Sequence, residues 1–138
     1  MREDALHITL AFMGEVPERR LPELQELAAT LKLPKVPVHL DRLGFWNHNH
    51  VLWAGARDPA PLLAQLAVDL QEILLKAGFL TEVRPFVSHV TMLRKLLHPG
   101  SLPELAPVEW TAAEFVLAKS WRSDRGSAYE TIARWPMN

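Results

Sequence analysis

Apolar and polar positions alternate along Leu6-His7-Ile8-Thr9-Leu10-Ala11-Phe12-Met13-Gly14, and that period of two predicts a strand with His7 and Thr9 on one face. The pattern returns at Phe86-Val87-Ser88-His89-Val90-Thr91-Met92-Leu93-Arg94, where 87–94 reads as a strand and His89 and Thr91 share a face. Between the two the period lengthens. Gly14 breaks the first strand and Pro17 opens a helix whose stripe is Leu21, Leu24, Leu27, Ala28 and Leu31, ended by Pro34 and Pro37. Residues 36–46 and 51–56 read as strands joined at Asn47-His48-Asn49, because Asn tolerates left-handed backbone. Asp58 is expected as the N-cap and Pro59 as the first residue of a second helix. Its apolar face runs from Leu62, Leu63 and Leu66 to Leu74 and Ala77, with Gly78 as the C-cap. A proline-rich connection over 99–107 leads to two final strands, 113–122 and 127–135, turned by Ser123-Asp124-Arg125-Gly126.

The predicted order, β-α-β-β-α-β-β-β, is an α+β fold with two helices outside largely antiparallel sheet. Its repeated strand-then-helix unit suggests a bilobal, pseudo-duplicated plan with a central cleft between the lobes. The length, with no linker or low-complexity segment, fits a single domain over 1–138.

Composition narrows the function. A net charge of −1 argues against broad, sequence-independent coating of nucleic acid. Residues 84–138 carry 7 Lys and Arg against 5 Asp and Glu, whereas residues 1–83 carry 8 against 11, a mild basic bias around the second motif. The absence of cysteine removes disulfides, thiolate metal sites and cysteine nucleophiles. No apolar run approaches the length of a membrane span, and the charged start Met1-Arg2-Glu3-Asp4 lacks a signal-peptide pattern, so cytoplasmic residence is the default expectation.

With 6 histidines and 6 threonines in 138 residues, chance supplies roughly a quarter of one His-x-Thr, yet two occur, both in apolar β-type runs. A lone strand histidine is more often a satisfied structural residue; a matched pair reverses that reading. Imidazole accepts a proton and imidazolium donates one near neutral pH without a cofactor. Two of them flanking a phosphate can divide an in-line displacement, one activating water and the other protonating the departing sugar oxygen. Threonine hydroxyls two residues on can donate to the non-bridging oxygens. This chemistry requires no metal, and the expected cofactor is none.

On residues 6–16, Ser88-His89-Val90-Thr91-Met92-Leu93-Arg94 and the ending from Tyr129 to Arg134-Trp135-Pro136, the chain resembles the two-histidine (2H) phosphoesterases. Within them it is similar to the RNA 2′,3′-cyclic phosphodiesterases once called 2′-5′ RNA ligases. The resemblance implies metal-free hydrolysis of 2′,3′-cyclic phosphate ends of RNA or nucleotides to 2′-phosphates. It implies that His7 protonates the leaving 3′ oxygen, that His89 activates water, and that Thr9 and Thr91 hold the phosphate, although the residues themselves do not distinguish acid from base. Relatives usually begin with a further strand and helix. Either the first lobe lacks an edge strand or the sequence is a segment of a longer protein, and an unpaired edge would invite a homodimer. Ser88 stands where many relatives have proline, a change expected to be tolerated.

The remaining candidates are weaker. Arg94 matches a basic substrate position of the family, but its odd offset from His89 requires a bulge or strand end. Phe12 faces away from His7 by parity and is expected in the core, although relatives imply that it can border the base pocket. Phe45, Trp46, Trp53, Trp121 and Tyr129 could stack a base, with Trp46 and Trp121-Arg122 the best placed for partial exposure. Lys119, Arg122 and Arg125 could guide an RNA backbone, though a charged surface is the simpler account. His48-Asn49-His50 resembles a metal clip without further ligands and reads better as a solvated turn. Two alternatives stay open: 2′-5′ ligation by the reverse reaction, and a weakly catalytic RNA- or nucleotide-binding module.

Overall fold

The computed structural model describes residues 3–82, 85–124 and 126–138. Short 3-10 turns at Glu3–Ala5 and Glu18–Arg20 precede helix α1, Leu21–Ala29. There follow β1 (Val36–Leu40), β2 (Arg42–Trp46), β3 (Val51–Gly55), helix α2 (Pro61–Lys76), β4 (Val90–Leu93), β5 (Val108–Ala112), β6 (Glu114–Ser123) and β7 (Gly126–Pro136). The strands form a β1–β5 ribbon, a β2-β3-β4 sheet and a long β6–β7 ribbon, every pairing antiparallel. The α+β class is therefore as expected. Among the described residues no helix is long and apolar enough to cross a membrane.

The first motif holds the interior together, although it is not a regular strand. Ile8 packs with Leu40, Ala54 and Val90, and also with the cluster of Leu33, Val36, Val38, Leu63, Leu66 and Met137 that Leu10 joins. Ala11 and Met13 pack on Leu24, Leu74 and Phe79, where the apolar stripes of α1 and α2 converge. One stretch thus threads all three clusters, its packed positions passing from Ile8 and Leu10 to Ala11 and Met13 across a bend, while His7 and Thr9 beside Ile8 stay exposed.

Several elements depart from the sequence reading. Residues 6–14 make one isolated bridge, Ile8 to Val90, and the second motif is strand only from Val90. In both, the carbonyl two residues before the histidine accepts a bond from the imidazole (Ala5 O and Val87 O), which is a local alternative to ladder pairing. The run 36–46 is two strands in different sheets, split at Asp41. Asp41 N–H donates to Gly55 O at 2.9 Å and its Oδ1 accepts from Arg57 N–H at 2.9 Å, fixing the switch. The left-handed residue of the following turn is His50, φ 55°, not an asparagine. Helix α2 begins at Pro61 with Ala60 as an N-cap lacking a side-chain bond, rather than at Pro59 behind Asp58. Two prolines two apart explain it, since the residue before Pro61 is pushed out of helical geometry. Strand β5 was not foreseen at all. Arg125, in the expected final turn, lies outside the described residues, and β7 starts at Gly126.

Candidate active site

The bridge between Ile8 and Val90 is antiparallel. Continuing its register by one residue sets His7 across from Thr91 and Thr9 across from His89. Ile8 and Val90 turn into the core with Leu40 and Ala54, so period-two alternation sends the four polar side chains to the opposite face. All four line one cavity of about 1610 Å³, which also reaches Ile8 and apolar residues of the neighbouring clusters. The fold brings together what the sequence separates by most of its length.

Each imidazole is held in the same way. His7 Nδ1 lies 2.6 Å from Ala5 O, and His89 Nδ1 lies 2.7 Å from Val87 O. A carbonyl only accepts, so Nδ1 carries the proton in both rings, and Nε2 is the atom left for proton exchange. His7 Nε2 lies 3.0 Å from Thr9 Oγ1. An aromatic ring also meets each imidazole near edge-on. Tyr129 of β7 stands 4.6 Å from His7 between ring centroids, and Trp46 at the end of β2 stands 4.7 Å from His89.

Arg94 joins the cavity lining because β4 ends at Leu93, the strand end its offset required. Phe12 is not a core residue: it is 54% exposed and lines the cavity. Strand parity fails for it because the chain bends after Thr9. Trp46 and Lys119 also line the cavity, and Arg134 does so with its guanidinium paired to Glu114 Oε1. Arg122 is exposed on β6 and is not among the lining residues. Among the described residues no group of three or more His, Asp or Glu is arranged to hold a metal ion. The sequence reading missed two backbone acceptors, Ala5 O and Val87 O, and the contact of Tyr129 with His7. The acceptors carry no side-chain signature. Tyr129 had its place in the C-terminal motif and among the aromatics that could stack a base, neither of which points to His7.

Paired His-x-Thr segments on the solvent face of an antiparallel α+β fold are the arrangement of a two-histidine phosphoesterase. Comparison with known proteins agrees. Residues 1–53 match the family model described as LigT like phosphoesterase. The chain is 34% identical over 136 residues to the RNA 2′,3′-cyclic phosphodiesterase of Escherichia coli K12, covering 97% of this chain and 77% of that protein. It is 31% identical over 149 residues to the RNA 2′,3′-cyclic phosphodiesterase of Geobacillus stearothermophilus, covering 99% of this chain and 47% of that one. The crystal structure of E. coli LigT complexed with 3′-AMP matches with a TM-score of 0.86 at 33% identity, over 97% of this chain and 78% of that one. The chain belongs to the LigT-like phosphoesterase family.

Proposed function

We propose that this protein hydrolyses the 2′,3′-cyclic phosphate ends of RNA or nucleotides to 2′-phosphomonoesters, with His7 and His89 as the acid–base pair. The observation that carries the reading is the Ile8–Val90 bridge, whose register, continued by one residue, sets the two His-x-Thr pairs across from one another beside a cavity that all four line. The relatives' names supply the substrate class, cyclic phosphate on RNA.

Water attacks phosphorus while His89 Nε2 takes its proton, and the bond from phosphorus to the 3′ oxygen breaks. His7, entering as imidazolium, gives its Nε2 proton to that oxygen. The products are a 2′-phosphomonoester and a free 3′ hydroxyl. Exchange with solvent then returns the proton gained at His89 and restores the one lost at His7. The bonds from Nδ1 to Ala5 O and Val87 O keep both Nε2 atoms toward the cavity through the cycle. At the contact between His7 Nε2 and Thr9 Oγ1 either group can donate, according to the charge on the ring. With His7 charged, Nε2–H is the donor, and the Thr9 hydroxyl proton is released for a non-bridging oxygen of the phosphate. Thr91, across from His7 in the extended register, supplies the second such donor. Arg94 would bear on the substrate's phosphates, and the exposed Phe12 ring would meet its base.

The test is hydrolysis of a 2′,3′-cyclic nucleotide and of an RNA oligomer with that end, in EDTA, with products resolved by phosphorus NMR. A 2′-phosphate product that disappears in His7→Ala and in His89→Ala, with 2′-nucleotide binding kept by His89→Ala, supports the reading. Absence of product from the wild type, or turnover that survives either substitution, overturns it.

A further inference from the structure

A histidine held by hydrogen bonds in the plane of its ring, through Nδ1–H to a carbonyl and, for His7, also through Nε2 to Thr9 Oγ1, can still tilt, and proton transfer at Nε2 suffers from small misplacements. Both imidazoles here have a further constraint, and it is the same for each. Tyr129 meets His7 at 4.6 Å and 64° between ring planes; Trp46 meets His89 at 4.7 Å and 69°. The two aromatics come from different sheets, β7 and β2, yet repeat one geometry on the two motifs. We propose that Trp46 and Tyr129 are positioning residues, one for each histidine, that fix the imidazole planes and thereby the aim of Nε2. This rests on the proposed two-histidine hydrolysis and adds the part of the site that keeps it in register.

Trp46 is built to be a support more than a free stacking platform. Its ring is also within 5.4 Å of Trp53 and 6.0 Å of His48, so much of its surface is already engaged. Trp53 is buried and pairs across the sheet with Thr91, which ties the support of His89 to the same β3–β4 ladder that carries the phosphate-binding threonine. Tyr129 is half-buried in β7 opposite Ser120, held by the long β6–β7 ribbon rather than by a loop. Both sit on regular strands, where a ring's position is set by packing.

The variants Trp46→Leu and Tyr129→Leu test this, with Trp46→Phe and Tyr129→Phe as conservative partners that keep a ring and give a readable result should a leucine variant not fold. Edge-to-face packing of the strength usual for aromatic pairs corresponds to a loss in kcat of roughly 3- to 10-fold, with KM changed by less than about 2-fold. Phenylalanine should restore most of it. The discriminating readout is the histidine side-chain nitrogen NMR spectrum of the unliganded protein. Of His7 and His89, Trp46→Leu should move only the His89 signals and Tyr129→Leu only the His7 signals; His48, which also meets Trp46, is expected to respond to Trp46→Leu.

A rise in KM at constant kcat for Trp46→Leu would overturn the proposal in favour of a base-stacking role. Both histidines moving in each variant would overturn it in favour of general loosening, and neither moving would remove its physical basis. The spectra need no turnover. A wild type without hydrolysis but with this crossed pattern would therefore sink the proposed function while leaving the positioning contacts standing.

Discussion

Gly44→Ala is the substitution whose effect the packing determines most directly. Gly44 on β2 is the cross-strand partner of Trp53 on β3, and the indole lies over it. A Cβ built on Gly44 falls deep inside van der Waals contact with Cζ2, Cε2 and Cη2 of that ring, and one on Gly55 would meet its Cζ3 at 2.8 Å. The ring has little room to yield. Trp53 is 7% exposed, it packs against Trp46, and the Arg42 guanidinium lies 5.1 Å from its centroid. Its buried Nε1 has no hydrogen-bond partner among the described residues, so packing alone sets its position. Overpacking of this kind costs about 1–3 kcal/mol, which exceeds the gain of about 0.4–1 kcal/mol from a less flexible unfolded chain, so the net loss is about 1–2 kcal/mol. At about 2.1 cal/mol/K per residue, 138 residues have an unfolding entropy of about 0.29 kcal/mol/K, so Tm should fall by about 3–7 °C. The displaced indole presses on Trp46, and through it on His89, so kcat should fall as well. Differential scanning calorimetry and initial-rate kinetics read both quantities, and Trp53→Phe in the Gly44→Ala background should recover part of each. A Gly44→Ala protein with unchanged or higher Tm would refute this account of the indole–glycine contact.

Thr9→Val and Thr91→Val each remove a hydroxyl donor with little change of shape and should lower kcat by about 10²-fold in initial-rate assays, with an unchanged circular dichroism melt. Phe12→Ala removes an exposed ring, so stability should stay within about 0.5 kcal/mol by chemical denaturation while KM rises at nearly constant kcat. Arg20 closes the C-terminal end of α2 by donating to Ala77 O at 2.9 Å and Gly78 O at 3.1 Å, and its guanidinium lies 3.8 Å from the Phe79 ring centroid. The same guanidinium donates to both Glu23 oxygens, and that hydrogen bond, aided by its charge and opposed by desolvation, holds the Glu23 carboxyl below its ordinary range. A depressed carboxyl stabilises the fold above its unfolded pKa and loses that contribution as pH falls through the folded value. The Tm advantage of wild type over Glu23→Gln should therefore be present near neutral pH, fade in acid, and shrink in high salt because both groups are solvent-facing.

The parts of the molecule that sequence reveals are those set by local periodicity. The stripe Leu21, Leu24, Leu27 and Ala28 marked α1, and Gly78, φ 85°, is the left-handed glycine that ends α2, one residue past the C-cap Ala77. His7 with Thr9 and His89 with Thr91 were readable as same-face pairs because alternation is a property of a few consecutive residues. What was not readable depends on partners distant in the chain. Nothing in the run 36–46 announces that Asp41 will hand the chain from one sheet to another, because that switch is made by Gly55 O and Arg57 N–H. Strand β5, Val108-Glu109-Trp110-Thr111-Ala112, does alternate apolar and polar residues, but it is only five residues long, directly follows the proline-rich connection, and is largely exposed with β1 as its pairing partner. Phe12 defeated a parity rule that holds only while a strand stays regular. The aromatic support of each histidine is a tertiary contact, invisible from Tyr129 and Trp46 taken as residues in a list of aromatics.

The proposed hydrolysis requires two imidazoles, each with its proton on Nδ1, to present Nε2 to one shared phosphate. The most direct measurement is the histidine side-chain nitrogen spectrum recorded with and without a 2′-nucleotide, the product of the proposed reaction. The account predicts Nδ1–H tautomers for neutral His7 and His89, and perturbation of Nε2 in both on binding. His39 and His98, which lie outside the lining of the cavity, should not move. An Nε2–H tautomer at either ring, or a nucleotide that perturbs only one of the two, would contradict it.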